Sequence, residues 1–371
     1  MGAFILRPVA QGSFAYDSNI FEEADDETDS FITTLSPRFS VESDFSRHRV
    51  RLQSGLDAQF FLDSPDDDAV SGFVSTDGTL DITRRLRFRS GVSYRRVAEQ
   101  RGTDEIDDEV GLEGPVFSNV FAGEARLQYL PGDFRIEPFA SFSYRDFEDR
   151  DGVEQDDRDR LKYEAGVELG YRALTGFEVF VRGSYFDVDF DESVDSDADG
   201  VDGVNRDNNG FEVFGGVKLG LSRLLTGSVG GGVIFNEFDD PALDDTQDFT
   251  VRAALDWSPR RRININLAAS RTVEQTAVEG ASDKTVTDAR LTGRYEILRN
   301  LNGSLQVGFA ESDFNDLGRT DTAIFGQAAL NWSVTRRASL RLAYRYLDET
   351  SDDDDQEFDK HVVTLGVRYG F

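Results

Sequence analysis

The residues of this sequence best suited to metal chemistry form one short acidic stretch. Asp195, Asp197, Asp199 and Asp202 alternate with small residues, and a glycine follows the third carboxylate. Carboxylates at alternate positions around a glycine turn make up the first half of a calcium-binding loop, because a hard cation prefers oxygen ligands. The twelfth position, which needs a bidentate glutamate, is Arg206. The stretch is a candidate calcium loop, with an ordinary solvated acidic loop as the alternative.

Catalytic chemistry has little support in the sequence. The absence of cysteine excludes disulfides, thiolate metal sites and cysteine nucleophiles. The two histidines, His48 and His361, fall at opposite ends of the strands assigned below, and neither has a recognisable nucleophile beside it. General-base catalysis needs the base and the nucleophile within hydrogen-bonding reach of each other. We therefore expect that the protein is not an enzyme.

A larger set of charged residues recurs at alternate positions within apolar segments. In the last segment, Val363, Leu365, Val367, Tyr369 and Phe371 alternate with Val362, Thr364, Gly366, Arg368 and Gly370. Successive side chains of a strand point to opposite faces, so one face of such a segment is apolar and the other mixed or polar. An apolar face can meet lipid while the polar face lines a wet lumen.

The same alternation along the chain predicts which charged residues line that lumen. They are Arg51, Arg87, Arg89, Arg135, Glu137, Arg182, Arg290, Arg294, Arg341, Arg345 and Arg368. These charges either pair across neighbouring strands and keep the wall rigid, or interact with passing sugars or anions. Inward-facing Phe139, Phe180, Phe214 and Phe325 would add an aromatic track for sugars.

The connections between the apolar segments predict the architecture. Eight short turns, such as 84–85 and 299–300, alternate with nine long connections, such as 100–116 and 190–209. These connections join 18 strands with both termini on the short-turn side, as in bacterial outer-membrane barrels. The alternative is a barrel of 16 strands, in which a hairpin such as 71–83 folds inward. We predict an all-β, transmembrane, antiparallel up-and-down barrel over residues 1–371, without a plug or soluble domain, and with the loop at 190–209 as a candidate to narrow the pore.

Composition agrees with a barrel and excludes other classes. The 371 residues have a net charge of −31 and a mean hydropathy of −0.45, and no run of 18 apolar residues that would form a transmembrane helix. Only alternate strand residues face lipid, so the mean hydropathy of a barrel can be as low as that of a soluble protein. The first residues do not form a secretion signal, so we expect a mature form or a misplaced start. A pI near 4.4 argues against nucleic acid as a partner.

Charge also differs between the two kinds of connection. The long loops are acidic, as at 104–109 and 352–355, whereas the short turns carry arginines, as at 84–85 and 336–337. Solvation of exposed loops explains the acidic residues most simply. Repulsion of anions, or divalent ions that bridge to lipopolysaccharide, is the functional alternative.

The C-terminus indicates where the protein is assembled. Leu365, Val367, Tyr369 and Phe371 share one face, and the chain closes on phenylalanine. This arrangement resembles the signal that outer-membrane barrels present to the barrel assembly machinery. We expect a location in the outer membrane of a Gram-negative bacterium.

Four short segments carry a family resemblance. Residues 15–21 read AYDSNIF, and residues 45–48, the arginine pair at 84–85 and residues 91–94 fit the same pattern. Together they resemble the putative β-barrel porin 2 family over essentially the whole chain. The resemblance implies an outer-membrane barrel associated with exopolysaccharide or capsule production.

These observations leave three functions open. The resemblance implies a channel or translocation barrel for exopolysaccharide export. A general diffusion porin for small hydrophilic solutes and a structural barrel with a closed lumen are the alternatives. The expected partners are outer-membrane lipid, lipopolysaccharide, the assembly machinery, and polysaccharide or periplasmic export proteins. No cofactor is expected beyond the candidate calcium.

Overall fold

The structure of the protein is a computed structural model that describes residues 4–101, 112–193, 204–222, 224–276, 278 and 281–371. Most of these residues lie in strands: β1 (Phe4–Asp17), β2 (Ser30–Leu35), β3 (Arg38–Ser43), β4 (Arg49–Phe61), β5 (Ala69–Asp81), β6 (Leu86–Glu99), β7 (Val116–Tyr129), β8 (Phe134–Phe147), β9 (Arg160–Leu174), β10 (Phe177–Phe190), β11 (Asn208–Ser222), β12 (Leu225–Phe238), β13 (Thr246–Arg260), β14 (Ile263–Glu274), β15 (Lys284–Leu298), β16 (Leu301–Phe314), β17 (Arg319–Ser333), β18 (Ala338–Ser351) and β19 (Phe358–Gly370). Single 3₁₀ turns occur at Pro65–Asp67, Asp156–Arg158 and Asp354–Gln356. In the described ranges, no helix has the length and apolar character needed to cross a membrane.

All strands belong to one antiparallel sheet that closes on itself. β1 pairs with β19, from Val9 opposite Gly370 to Asp17 opposite Val362, and its other edge pairs with β2 and β3. β2 and β3 are two halves of one wall strand, interrupted at Pro37, which has no N–H to donate to the ladder. The barrel therefore has 18 wall strands, as predicted. Closure pairs both edges of the sheet, which lipid requires.

The hairpin that left the strand count open belongs to the wall. β5 pairs with β4 over eleven positions from Gln59–Ala69 to Arg49–Thr79, and with β6 from Gly72–Arg96 to Asp81–Arg87. The alternative of 16 strands, with this hairpin folded inward, is therefore wrong. Two fully paired edges stabilise the segment in the sheet better than an inward position would.

The two rims of the barrel differ as the sequence predicted. Tight turns at one rim, for example 82–85, 175–176 and 299–300, alternate with long connections at the other. We call these the tight-turn rim and the long-loop rim. Both chain ends lie at the tight-turn rim, where β1 begins and β19 ends.

The outer face of the wall carries the apolar series of each strand. Leu305, Leu365 and Val307 are 68%, 55% and 56% exposed, as expected of side chains on the lipid-facing surface of a barrel. Trp257 and Trp332 lie on this face near the tight-turn rim. Aromatic side chains of this kind form the girdle at the membrane interface.

Several inward-facing phenylalanines lie over glycines of neighbouring strands. A Cβ built on Gly230 would lie 2.6 Å from Cε1 of Phe214, and one on Gly166 would lie 2.7 Å from Cζ of Phe139. The rings therefore occupy the space that a side chain would otherwise fill. Aromatic rings covering glycines help to fix strand register. Here they also keep large side chains flat against the wall.

Candidate functional site

The inner face of the wall is identified by side chains that reach past a neighbouring strand. Arg135 of β8 donates to Glu178 of β10 across β9. Such contacts form on the concave side of a curved sheet, where side chains converge. Alternation with the exposed apolar series places all of the residues predicted to line the lumen on this face: Arg51, Arg87, Arg89, Arg135, Glu137, Arg182, Arg290, Arg294, Arg341, Arg345 and Arg368.

Arg135 is the centre of a buried ionic cluster in the half of the barrel next to the tight-turn rim. Its side chain is 7% exposed and donates to carboxylate oxygens of Glu137 at 3.1 Å, of Glu178 at 2.7 and 2.9 Å, and of Glu168. Lys218 of β11 reaches the same oxygen of Glu168 at 2.5 Å. Every charge in the cluster therefore has an opposite partner, which is the condition for tolerating ionic groups away from water. The cluster joins β8, β9, β10 and β11 across the wall.

Three more of the predicted arginines are paired with carboxylates. Arg87 lies 2.5 Å from Asp81, Arg182 lies 2.5 Å from Glu164, and Arg51 lies 3.7 Å from Glu42. Arg89 is opposite Arg126 in the pairing of β6 with β7. On β4 to β10, most of the charged residues predicted to line the lumen therefore form ion pairs within the wall.

Three of the phenylalanines predicted as an aromatic track are covered. Phe139, Phe180 and Phe214 are 7%, 8% and 4% exposed. The guanidinium of Arg182 lies 4.2 Å from the ring centre of Phe139, and the ammonium of Lys218 lies 5.0 Å from that of Phe180. Phe180 and Phe214 also stack on each other at 6.0 Å. The expectation of a sugar-binding track is wrong for these three residues, because cations and neighbouring strands cover their rings.

The remaining predicted arginines occupy a different environment. We call them the arginine wall: Arg290 and Arg294 of β15, Arg341 and Arg345 of β18, and Arg368 of β19. All five are exposed inside the barrel. Within the described part of the chain, none has a carboxylate within 4.0 Å. This side of the lumen therefore carries positive charge that the protein does not neutralise by contact.

Four arginines of the arginine wall contact neutral groups. Arg290 and Arg345 lie 5.4 and 4.7 Å from the ring centre of Phe325. Arg294 donates to Asn264 at 3.3 Å, and Arg341 lies 3.5 Å from the amide oxygen of Asn331. A planar ring and carboxamide oxygens hold guanidinium groups in place and leave their charge intact.

After β14 the chain leaves the wall and folds inward near the long-loop rim. Pairing between β13 and β14 stops at Val251 and Arg271, so the end of β14 can bend away from β13. The side-chain amide of Asn208 on β11 then donates to the side-chain oxygen of Gln275 at 3.1 Å. Arg206 donates to the backbone carbonyl of Thr276 at 2.7 Å. We call the described residues between β14 and β15 the inward segment. It reaches the part of the wall three strands from β14 and so narrows the lumen.

Apolar packing supports the inward segment. A buried cluster lies beneath it, formed by Phe186, Val188 and Phe190 of β10, Ile234 of β12 and Val273 of β14. At its far end the fully buried Asp283 accepts hydrogen bonds from Asn236 at 3.0 Å and from Thr246 at 3.2 Å. We predicted a narrowing role for the connection 190–209. Arg206 contributes from that connection, but the described contacts come mainly from the segment after β14.

The candidate calcium ligands belong to the connection between β10 and β11. Asp195, Asp197, Asp199 and Asp202 all lie outside the described residues. Among the residues that are described, no group of three or more metal-ligating side chains is positioned to hold a metal ion. Calcium binding by the acidic loop stays a prediction.

The two histidines lie apart, as the strand assignment implied. Nδ1 of His48 accepts from the amide of Asp81 at 3.3 Å beside a tight turn. His361 contacts the hydroxyl of Tyr344 at 2.9 Å near the start of β19, at the other end of the strands. The geometry brings no base and nucleophile together at either histidine.

The predicted assembly signal faces outward. Leu365, Val367, Tyr369 and Phe371 are 55%, 52%, 39% and 71% exposed. Tyr369 and Phe371 meet edge to face at 5.0 Å. The geometry leaves this series accessible on the outer face, while its recognition by assembly machinery stays a prediction.

The connection before β9 contains a carboxyl group that titrates near neutral pH. Burial raises the pKa of Asp159 to about 6; the hydrogen bond from the amide of Phe147, at 2.6 Å, opposes this shift, and the carboxylates of Asp146, Asp156 and Asp191 reinforce it. The pKa in the folded protein is above the unfolded value of 3.8. The resulting stabilisation is therefore complete below the unfolded pKa and is lost as the pH rises through about 6.

Local opening of this connection exposes Asp159 to water and returns its pKa to the unfolded value, so opening becomes easier as the pH rises. We therefore expect the amide of Phe147 to lose protection from hydrogen exchange between about pH 4 and about pH 7, after correction for the intrinsic exchange rate. The Asp159→Asn variant keeps an oxygen that can accept the hydrogen bond but does not titrate, so its corrected protection should not change over this range. Exchange followed by mass spectrometry on the peptide containing Phe147 measures both. An equal pH dependence in the variant would show that another group is responsible.

Sequence reasoning missed several residues of the inner face. Arg252 of β13 pairs with Glu212 of β11 at 2.8 Å, and Lys218 belongs to the buried ionic cluster. All three follow the same alternation as the predicted residues, so extending that pattern to β11 and β13 would have found them. Arg206 lies in a connection, where no periodicity could have identified it.

Solved structures share the architecture. OpdK, an outer membrane protein from Pseudomonas aeruginosa, matches with a TM-score of 0.51 and 13% identity, over 99% of this chain and 98% of that chain. The copper transporter OprC matches with a TM-score of 0.51 and 10% identity, over 100% of this chain and 82% of that chain. At these identities the likeness shows the fold alone. No curated protein matches the sequence.

The sequence itself identifies the family. The profile of the family described as putative beta-barrel porin 2 matches residues 1–371. The match agrees with the closed 18-stranded wall, the apolar outer face and the charged lumen. Fold and family together imply an outer-membrane, porin-like barrel. The chain belongs to the putative beta-barrel porin 2 family.

Proposed function

We propose that the protein is a water-filled channel through which small hydrophilic solutes diffuse across the outer membrane of a Gram-negative bacterium. The observation that carries the proposal is the exposure of the arginine wall inside a closed barrel. A lumen packed shut by its own side chains would bury these groups and would have to pair them. Barrels of 16 to 18 strands are wide enough to contain an aqueous channel.

The inward segment sets the expected size of the channel. It leaves the wall at the long-loop rim and is held there by Arg206 and the apolar cluster beneath it. The arginine wall lies nearer the tight-turn rim, since Arg341 follows the turn at 334–337 and Arg294 precedes the turn at 299–300. We therefore propose a channel that is narrower at the long-loop rim than at the tight-turn rim.

Export of exopolysaccharide is the second candidate function. The family resemblance implies it, and the arginine wall would attract a polymer that carries carboxylates. The covered rings of Phe139, Phe180 and Phe214 count against a neutral polysaccharide, which usually needs exposed aromatic faces. We propose export only for an acidic polymer, with periplasmic proteins as partners.

Electrical recording in a planar bilayer tests the channel. Protein refolded in detergent and inserted in potassium chloride should give stable current steps without any partner. Liposomes that contain the protein should also take up a small neutral sugar faster than empty liposomes. If neither current nor uptake appears, diffusion through the barrel is excluded. The remaining candidates would then be a structural barrel with a closed lumen and an export barrel that opens only with its partners.

A further inference from the structure

The arginine wall borders a concavity on the lumen side of β14 to β18. The concavity has a volume of about 570 Å³. Arg290, Arg294 and Arg341 of the arginine wall line it together with Arg261, Arg262 and one glutamate, Glu296. Asn264, Gln306 and Gln327 add carboxamides to the lining. Such a set presents many N–H donors and an excess of positive charge. It therefore favours a ligand rich in anionic oxygen atoms.

On the opposite side of the lumen, the cationic side chains have carboxylate partners, which the arginine wall lacks. There, Arg135, Arg182 and Lys218 each contact a glutamate within 3.1 Å. Their charge is neutralised locally and is not available to a solute. The five arginines of the wall have no such carboxylate among the described residues. Strands β15, β18 and β19 therefore carry a group of five arginines whose charge no contacting carboxylate neutralises.

Two arginines of the wall are held beside a single ring. Arg290 approaches Phe325 from β15 and Arg345 approaches it from β18, while Phe325 itself lies over Gly308 of β16. Because both guanidinium groups contact the same ring, they lie close enough to act on two carboxylates of one small molecule. A guanidinium binds a carboxylate through two parallel N–H donors, which an ammonium cannot do.

We propose that the arginine wall is a binding site for solutes that carry two or more carboxylates. The proposal rests on the proposed channel, since the solute must reach the lumen. Guanidinium groups fixed by a ring and by carboxamides need little reorganisation to bind such a solute. A neutral solute gains no comparable attraction. The channel therefore passes neutral solutes by diffusion but holds polycarboxylates at this wall.

Citrate, a tricarboxylate, is the probe that tests the site. In a planar bilayer with potassium chloride, added citrate should block the current, and glucose at the same concentration should not. The double variant Arg290→Gln and Arg345→Gln should weaken the citrate block roughly tenfold or more, because each lost contact is a hydrogen bond between charged groups. Heat-dependent migration on gels will show whether the variant is folded.

A matched control removes one positive and one negative charge, so the net charge of the lumen does not change. The double variant Arg182→Gln and Glu164→Gln deletes one ion pair from the opposite side, so its citrate block should equal that of the unaltered protein. An equal block in all three proteins, or none in any, would overturn the proposed site. Current steps without citrate report on the channel itself. If no protein conducts, calorimetric titration of citrate into the refolded barrels tests the site independently, with binding lost in the Arg290 and Arg345 variant.

Discussion

Replacing Arg135 by glutamine will lower the free energy of unfolding of the barrel by about 3 to 5 kcal/mol. The 7% exposed guanidinium of Arg135 is the partner of three carboxylates, those of Glu137, Glu168 and Glu178. Without it, Lys218 is left with Glu168, and the other carboxylates lose their closest positive charge. Uncompensated charge away from water destabilises a fold far more than a lost surface ion pair does. Reversible urea unfolding in detergent measures the change.

The same substitution at an exposed arginine is the control for this prediction. Arg341 also points into the lumen, but it is exposed and lies beside an amide oxygen instead of a carboxylate. Arg341→Gln should change the free energy of unfolding by no more than about 0.5 kcal/mol. Equal losses in the two variants would mean that the ionic cluster contributes nothing specific to the stability of the wall.

Replacing Arg206 by alanine should open the long-loop end of the lumen. Arg206 donates to the carbonyls of Thr276 and Asp157 at 2.7 and 2.6 Å and lies 4.8 Å from the ring centre of Phe190. Hydrogen bonds from a charged donor contribute about 1.5 to 3 kcal/mol each. Loss of about 3 kcal/mol would raise the population of the displaced inward segment about a hundredfold. Single-channel recording should then show a larger conductance or frequent openings to a larger level.

The control for this variant is an arginine on the outer face. Arg96 pairs with Glu148 at 2.6 Å and lies 4.0 Å from the ring centre of Phe117, but it alternates with the inward residues of β6. Arg96→Ala should therefore leave the conductance unchanged. If Arg206→Ala conducts like the unaltered protein, the inward segment does not limit the current.

The wall of this barrel was predictable because lipid imposes a simple rule on its sequence. Each strand must present apolar side chains at alternate positions, and no strand edge may remain open. Val363, Leu365 and Val367 follow this rule, and so their inward neighbour Arg368 could be assigned as well. Even the interruption between β2 and β3 has a visible signal, Pro37.

The contacts of the inner face could not be predicted in the same way. Alternation shows that Arg135 and Arg345 point inward, but the partner of each depends on strand register and on curvature across two or more strands. Arg135 reaches Glu178, which lies two strands away, whereas Arg345 meets the ring of Phe325. The inward segment has no periodicity at all, since it leaves the wall after Glu274. Register and tertiary packing decide these features.

The position of the two tryptophans has a practical consequence. The chain contains only Trp257 and Trp332, which are 47% and 46% exposed on the outer face near the tight-turn rim. Their fluorescence therefore depends on one membrane–water interface only, the interface at the tight-turn rim. Tryptophan emission therefore measures how deeply the tight-turn rim is inserted in the bilayer. The emission of the folded barrel is insensitive to events at the long-loop rim, on the other side of the membrane.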